Sequence, residues 1–384
     1  MKDHAGPTVV FIDSSTWEPF TSLAVALRNS GIGVARITAR RNEFFSRTVQ
    51  RVEQTIFGST QQLVVRPDDP EAAVRIDCES LDSVLPEGTV DIQAPDHIAM
   101  QVLRSGDPAG RFLRRVAPDV DPYLLFDKWR AKNLCNELGV PTPRGWESPD
   151  CDSFPIVVKS RIGSGGDGVR IAHDQEQLNE YWAELTDSDG RSPFLEEFHA
   201  TADLHFGGVA KDGELLVGTA FRGLPEPTDP LGPPRTCEAV DEPDIVEGVR
   251  KIVKATRYTG FINLDYVTDD AGFALAIDIN ARVFGTWPPL QESGVDMFGA
   301  YLFALDLGPR PKPSEISYNV DHMIFSFPLP DAASPRDLWR RQSADLKIIN
   351  GRRKWLGNRW AVVTAMRVEA FALKQVIKRP WARN

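Results

Sequence analysis

The apolar positions of the first forty residues fall into two short runs, TVVFI at 8–12 and GVARI at 33–37, around a helix-compatible stretch at 18–30. Unbroken apolar runs of this length read as strands buried on both faces, so the pattern predicts a βαβ start for an N-terminal module. The connector DSSTWEP after the first run lies where open α/β sheets bind ligands. It is read equally well as a plain turn into a helix capped by Ser15 or Thr16. Residues 66–92, rich in Pro, Asp and Glu, predict only short elements, and the chain shows no internal repeat.

Farther along, the pattern becomes strict alternation. In GFINLDYVTDDAGFALAIDINAR (260–282), Asn263 and Asp265 share one face of a strand, with Ile262, Leu264 and Tyr266 on the other. Asp278 and Asn280 point together in a second strand, backed by Ile277 and Ile279. The intervening TDDAG has turn chemistry, so an antiparallel hairpin is expected to bring Asp265 beside Asp278 and Asn280. Two carboxylates and an amide on a rigid face make a hard-oxygen site suited to Mg²⁺, and Arg282 adds a fixed cation on the same side. An ordinary surface hairpin with one solvated face has the same pattern.

About a hundred residues upstream, FPIVVKSRIGSGGDGVRIA (154–172) reads as an apolar strand ending in Lys159, a glycine-rich loop and a second strand. Gly163, Gly165, Gly166 and Gly168 allow backbone N–H groups to approach an anion without obstruction, although a hairpin tip is also built this way. Gly163, Gly165 and Gly168 satisfy G-x-G-x-x-G, but the dinucleotide fingerprint must open a helix and here a strand-like VRIA follows. Lys159 precedes the glycines, and no H-R-D or D-F-G set accompanies them, which excludes the protein-kinase arrangement.

Taken in order, Lys159 with its glycine-rich loop, FLEEF at 194–198, Asp265 and DINAR at 278–282 resemble the ATP-grasp superfamily. The resemblance covers residues 121–308, and LLFDKWRAKNLCNELGVPTPRG (124–145) is similar to the segment that opens that domain. It implies an α/β (α+β) architecture, with a Rossmann-like pre-ATP-grasp domain at 1–120, an ATP-grasp domain at 121–308 and a basic helical C-terminal extension at 309–384. Within the ATP-grasp domain, a first subdomain at 121–192 would carry the glycine-rich lid and a second at 193–308 the metal site. The implied cofactors are ATP and two Mg²⁺ ions, with Mn²⁺ as an alternative. By resemblance, Lys128 and Lys159 meet the phosphates, and Gly163, Ser164, Gly165, Gly166 and Gly168 close over them. Glu196 sits by the adenine amino group, Glu197 and Phe198 read the base edge through their backbone, and Asp203 holds the ribose hydroxyls. Asp265, Asp278 and Asn280 are the implied metal ligands, and Arg282 faces the transferring phosphoryl group. Relatives more often carry Glu at the position of Asp278 and Pro at that of Ala281. Arg222 is a further candidate phosphate cation.

The stretch NARVFGTWPPLQESGVDMFGAYLFALDLG (280–308) resembles a branch of carboxylate–amine ligases and carbamoyl-phosphate-synthase-like proteins. The implied activity is ATP-dependent activation of a carboxylate as an acyl phosphate and its joining to an amine, on a small acid, amino acid or peptide. The alternatives are an ATP-grasp transferase with a non-amine acceptor and a non-catalytic ATP-binding regulator. Small-molecule acid and amine substrates are the expected partners; the sequence leaves the oligomeric state open, a homodimer being one assembly the resemblance allows.

Composition is that of an ordinary globular protein of 384 residues with a net charge of −10. The charge is uneven: residues 336–384 hold 13 Lys and Arg against 3 Asp and Glu, so the remainder carries −20. An acidic body excludes nucleic acid as the main partner. The basic tail is expected to form a helix packed on that body, with contact to a membrane surface or anionic carrier as the less favoured alternative. No apolar run reaches the ~20 residues that span a bilayer, and the N-terminus enters a strand directly, so a cytoplasmic enzyme is expected. Cys78, Cys135, Cys151 and Cys237 fit no metal spacing and read as free thiols, with Cys135 buried in a helix. His205 is read first as a structural or solvated histidine and second as a general base.

Overall fold

Two compact units make up the computed structural model, one comprising residues 1–94 and 323–384, the other residues 95–322. The residues described are 6–13, 18–39, 59–63, 80–151, 153–163, 168–186, 190–199, 201–224, 236–312 and 322–323. The expected basic tail helix, Ser164, Gly165, Gly166, Cys78 and the tip of the DSSTWEP loop lie outside them.

The first unit is a four-stranded parallel sheet in the order β3-β2-β1-β4, with β1 Thr8–Asp13, β2 Gly33–Ala39, β3 Ser59–Leu63 and β4 Thr89–Gln93. The apolar run in β1 follows from its central place between β2 and β4, where Val9, Val10 and Phe11 are fully buried. Helix α1 (Glu18–Asn29) completes the expected βαβ unit, and its Phe20 ring packs 5.6 Å from that of Phe11.

The second unit opens with helix α2 (Asp96–Ser105) and continues through α3 (Lys128–Glu137). Asp127 caps α3 by accepting from the N–H groups of Trp129 and Arg130 at 3.1 and 3.2 Å. The helix stops at Gly139, whose φ of +67° favours glycine. Its N–H reaches Asn136 O and that of Val140 reaches Cys135 O, which satisfies carbonyls the last turn leaves open.

Two sheets follow. The smaller one has the order β5-β8-β6-β7, built from Gly145–Trp146, Ile156–Lys159, Val169–Ala172 and Phe194–Glu197, with β8 the last in sequence. Helix α4 (Gln175–Leu185) contributes Leu178 to a core with Ile156, Val158, Ala172 and Leu195. In the larger sheet β9 (Thr201–Lys211) is flanked by β10 (Glu214–Leu224) on one side and β12 (Gly260–Thr268) on the other. β11 (Thr236–Val240) pairs with β10, and β13 (Ala274–Asn280) with β12, all antiparallel. Helix α5 (Pro243–Thr256) packs on β10 and β9. Helices α6 (Trp287–Glu292) and α7 (Met297–Ala304) bring Trp287 and Tyr301 against Phe261, with ring separations of 5.9 and 4.7 Å. The face of β12 that is apolar at Phe261 thus turns polar two residues on, at Asn263 and Asp265.

Candidate active site

The β12–β13 hairpin forms in the register the alternation predicts, with Asn263 opposite Asn280 and Asp265 opposite Asp278. Asn280 ties the face together, its Nδ2 lying 3.1 Å from both Asp265 Oδ2 and Asn263 Oδ1. Asn263 in turn donates to the carbonyl of Phe206 on β9 at 2.8 Å. One strand farther, His205 sits opposite Asp265 in the β9–β12 register, with Nδ1 2.7 Å from Asp265 Oδ1. The imidazole stacks on Phe221 at 5.1 Å, which fixes its plane.

The two carboxylates differ in environment. Burial, the largest influence on Asp265, would raise its carboxyl, but the hydrogen bond and charge of His205, with Lys128 and Arg282, hold it below the usual carboxylate range. Asp278 is shifted the other way, because burial and the neighbouring Asp265 outweigh the pull of Lys128 and Lys159. Lys128 Nζ answers this by donating to Asp278 Oδ2. A backbone bond from Lys128 N to Arg161 O at 2.8 Å joins the start of α3 to the segment just after β6.

Just beyond Asp278, the hairpin ladder slips, so that Tyr266 faces Ala276 and Ile277 is the extra residue of a β-bulge. Its carbonyl accepts from Lys159 Nζ at 3.0 Å. Lys159 also pairs with Glu196 Oε2, and Lys132 lies 3.1 Å from Glu196 Oε1. Glu196 is 2% exposed, so this is a buried carboxylate held between two ammonium groups and carrying a surplus positive charge. Burial lowers the pKa of Lys132 and Lys159 adds to that shift, while Glu196 opposes it. Lys132 is further held by Thr142 Oγ1 at 3.1 Å and by the Pro143 carbonyl.

At the far end of the face, Arg282 Nη2 donates to Asn280 Oδ1 at 2.8 Å. Its Nε lies 3.0 and 2.9 Å from the two carboxylate oxygens of Asp96.

Lys128, Asp265, Asp278, Asn280 and Arg282 therefore meet on one connected polar face, with Lys159 reaching it through Ile277. Glu196 is engaged by lysines, and Glu197 is exposed, its N–H donating to Arg144 O at 2.9 Å. Phe198 follows β8 directly, and Asp203 lies within β9. Gly163 and Gly168 flank the loop, and a Cβ at Gly168 would come within 1.9 Å of Ser160 Oγ. Arg222 stands apart, half-exposed and 4.0 Å from Glu238 and Glu242. Sequence reasoning missed Lys132 and Asp96. The four-residue spacing of Lys128 and Lys132 on one helix could have found the first, whereas nothing local marks Asp96. His205 is a hydrogen-bonded partner of Asp265, and Cys135 is buried, its thiol pushed up to about 12.

Among the described residues no three His, Cys, Asp or Glu side chains form a metal-binding group; the carboxylates that could hold a cation are Asp265 and Asp278, which stand opposite each other, with the Asn280 amide beside them. The two carboxylates are oxygen donors of the kind Mg²⁺ takes, whereas Asn280 turns Nδ2 toward Asp265 and its Oδ1 accepts from Arg282, so the amide would ligate only after turning that oxygen to the cation. No described helix is long and apolar enough to cross a membrane.

No family model matches the chain. A carbamoyl-phosphate synthase of Methanobrevibacter smithii is 26% identical over 178 residues, 42% of this chain and 47% of that protein. The chain thus spans about half the length of this curated relative. The biotin carboxylase domain of the Hydrogenobacter thermophilus 2-oxoglutarate carboxylase, solved as a dimer with MgADP, ADP and bicarbonate, superposes with a TM-score of 0.58 at 19% identity, covering 82% of this chain and 73% of that one. The L-amino acid ligase of Bacillus licheniformis gives 0.55 at 16% identity, covering 78% and 74%. With its hairpin, lysines and glycine-rich segment in the expected order along the sequence, the chain has the ATP-grasp fold of these solved structures.

Proposed function

We propose that the protein is an ATP- and Mg²⁺-dependent ligase that activates a carboxylate as an acyl phosphate and joins it to an amine on a small acid, amino acid or peptide. The observation that carries this reading is the cross-strand pairing of Asp265 with Asp278, bridged by Asn280 and bordered by Lys128 and Arg282. Support comes from the fold it shares with an L-amino acid ligase and from sequence similarity to carbamoyl-phosphate synthase.

A carboxylate reacts with an amine at a useful rate only after its oxygen becomes a good leaving group, and transfer of a phosphoryl group from ATP supplies that. The work left to the protein is to neutralise charge, align the reactants and exclude water. Lys128 and Lys159 neutralise phosphate oxygens, each exchanging its present carboxylate partner for the nucleotide. Lys132 stays on Glu196 when Lys159 turns away, so the buried carboxylate is never left without a cation. Asp265, Asp278 and Asn280 hold magnesium, which when bound withdraws charge from the phosphates. Arg282 faces the group in transfer. The loop 163–168 covers the triphosphate, while Glu196, Glu197, Phe198 and Asp203 hold the adenosine. Residues 121–308 carry this chemistry, with 1–120 a separate domain before them and 309–384 an appendage. A homodimer in the cytoplasm is the working form.

The test is ADP release with Mg·ATP and hydroxylamine across pools of amino acids, dipeptides and small acids. An active pool yields a hydroxamate whose mass identifies the acid. ATP turnover that survives replacement of both Asp278 and Asn280 by alanine would overturn the reading.

A further inference from the structure

The Arg282 side chain is 7% exposed and follows β13 by only two residues. An arginine has a long stem with many rotamers, so aiming it requires partners on more than one side. A buried guanidinium also needs a counter-charge. Its own strand provides no spare one: Asp278 is engaged by Lys128, and Asn280 offers a neutral oxygen. The charge comes from Asp96, 186 residues earlier in the chain, at the first turn of α2.

We infer that Asp96 is the positioning residue that aims Arg282 along the Asp265–Asp278–Asn280 face. Its carboxylate grips Nε through both oxygens, so the terminal edge of the guanidinium is turned toward the hairpin, where Nη2 meets Asn280. Asn280 passes the constraint on by donating through Nδ2 to Asp265 and Asn263. One carboxylate on a helix N-terminus thereby orients a cation, an amide and a metal-ligand carboxylate in series. The Asp96 side chain is 10% exposed and acts through Arg282, not on substrate. His97, next in the chain, has its pKa lowered by burial and by Arg282 against the pull of Asp96, so at neutral pH it does not compete with Arg282 for that carboxylate.

The inference rests on the reading that Arg282 faces the phosphoryl group, and the experiment separates the two. Calorimetric binding of Mg·AMP-PNP is measured on the full chain for wild type, Asp96→Asn, Arg282→Gln and the double variant. The expected result is that each single change weakens binding, Asp96→Asn by roughly tenfold, and that the double variant binds no more weakly than Arg282→Gln alone. A purely structural Asp96 would lower the unfolding midpoint while its effect on binding simply added to that of Arg282→Gln, and additivity overturns the inference. So does unchanged binding by Asp96→Asn. If that variant does not fold, Asp96→Glu serves in its place, with weakened binding expected at a near-native midpoint; unchanged binding overturns the inference. Wild type that fails to bind Mg·AMP-PNP, or Arg282→Gln that binds normally, removes both the phosphate-site reading and the inference. Binding without turnover of any acid removes only the ligase reading and leaves the Asp96 test intact.

Discussion

The two halves of the candidate site handle charge in opposite ways. On the hairpin, carboxylates stand in register on a sheet face and remain partly open, with Asp265 and Asp278 side chains 30% and 21% exposed. In the smaller sheet, a single carboxylate is sealed between two lysines, with Glu196 at 2% and Lys132 at 5%. An open carboxylate can exchange one cation for another, whereas a sealed one supports the structure around it. Under the proposed function the hairpin half exchanges cations during turnover, while the Glu196 half keeps Lys132 in place when Lys159 turns to the nucleotide.

The sharpest test of this contrast is a pair of substitutions with opposite profiles. Lys159→Met should lower kcat by about 10²–10³, the usual cost of removing one group that stabilises developing charge. Initial rates of ADP release measure it. Glu196→Gln should act first on stability, because it leaves two buried ammonium groups facing each other, and a cost of about 3–5 kcal/mol is expected. Urea unfolding of this variant beside Asp265→Asn would break the comparison if the hairpin variant lost more stability.

A smaller effect is expected at His205, which touches the proposed metal ligand Asp265. His205→Leu removes the hydrogen bond that orients Asp265 and should weaken divalent-metal affinity by about 10–100-fold. Titration with Mn²⁺ followed by electron paramagnetic resonance reads this without turnover.

The carboxylate pair should also leave opposed marks on the pH dependence of stability. Asp265 is depressed on folding, so its contribution is present above its unfolded value of about 4 and is lost as pH falls through the folded value. Asp278 is raised, so the folded state holds its proton longer and stability declines as pH rises from about 4 through the folded value. Asp265→Asn should flatten the acid limb and Asp278→Asn the decline above it, in unfolding curves taken at stepped pH. The least effect is expected in α3, where the buried Cys135 thiol should resist iodoacetamide at pH 8 while the half-buried Cys151 is modified, as mapped by mass spectrometry.

Much of the fold and half of the site could be read from the chain because their determinants are local. Strand alternation is a two-residue period, so Asn263, Asp265, Asp278 and Asn280 declare their common face without knowledge of anything else. The apolar run of β1 announces a central parallel strand for the same reason. The glycines around Lys159 mark a turn, and the observed strands β6 and β7 lie on either side of it. The bulge at Ile277 was not legible, since no glycine or proline marks it, yet it frees the carbonyl that meets Lys159. Nor did the chain reveal that Glu196 faces two lysines, because a Glu-Glu pair at a strand end reads the same whether solvated or sealed.

What the sequence by itself determined, then, is the identity and order of the chemical groups, together with every pairing that a hairpin imposes. Tertiary structure alone decided which charge answers which. Lys128 meets Asp278, Lys132 meets Glu196 and Asp96 meets Arg282 across long chain separations. Periodicity stops at the end of an element, while charges separated in the chain are brought together only when helices dock on sheets. The pairing is then selected by desolvation: once buried, each ionised group must find a partner, and the packed fold leaves only a few within reach.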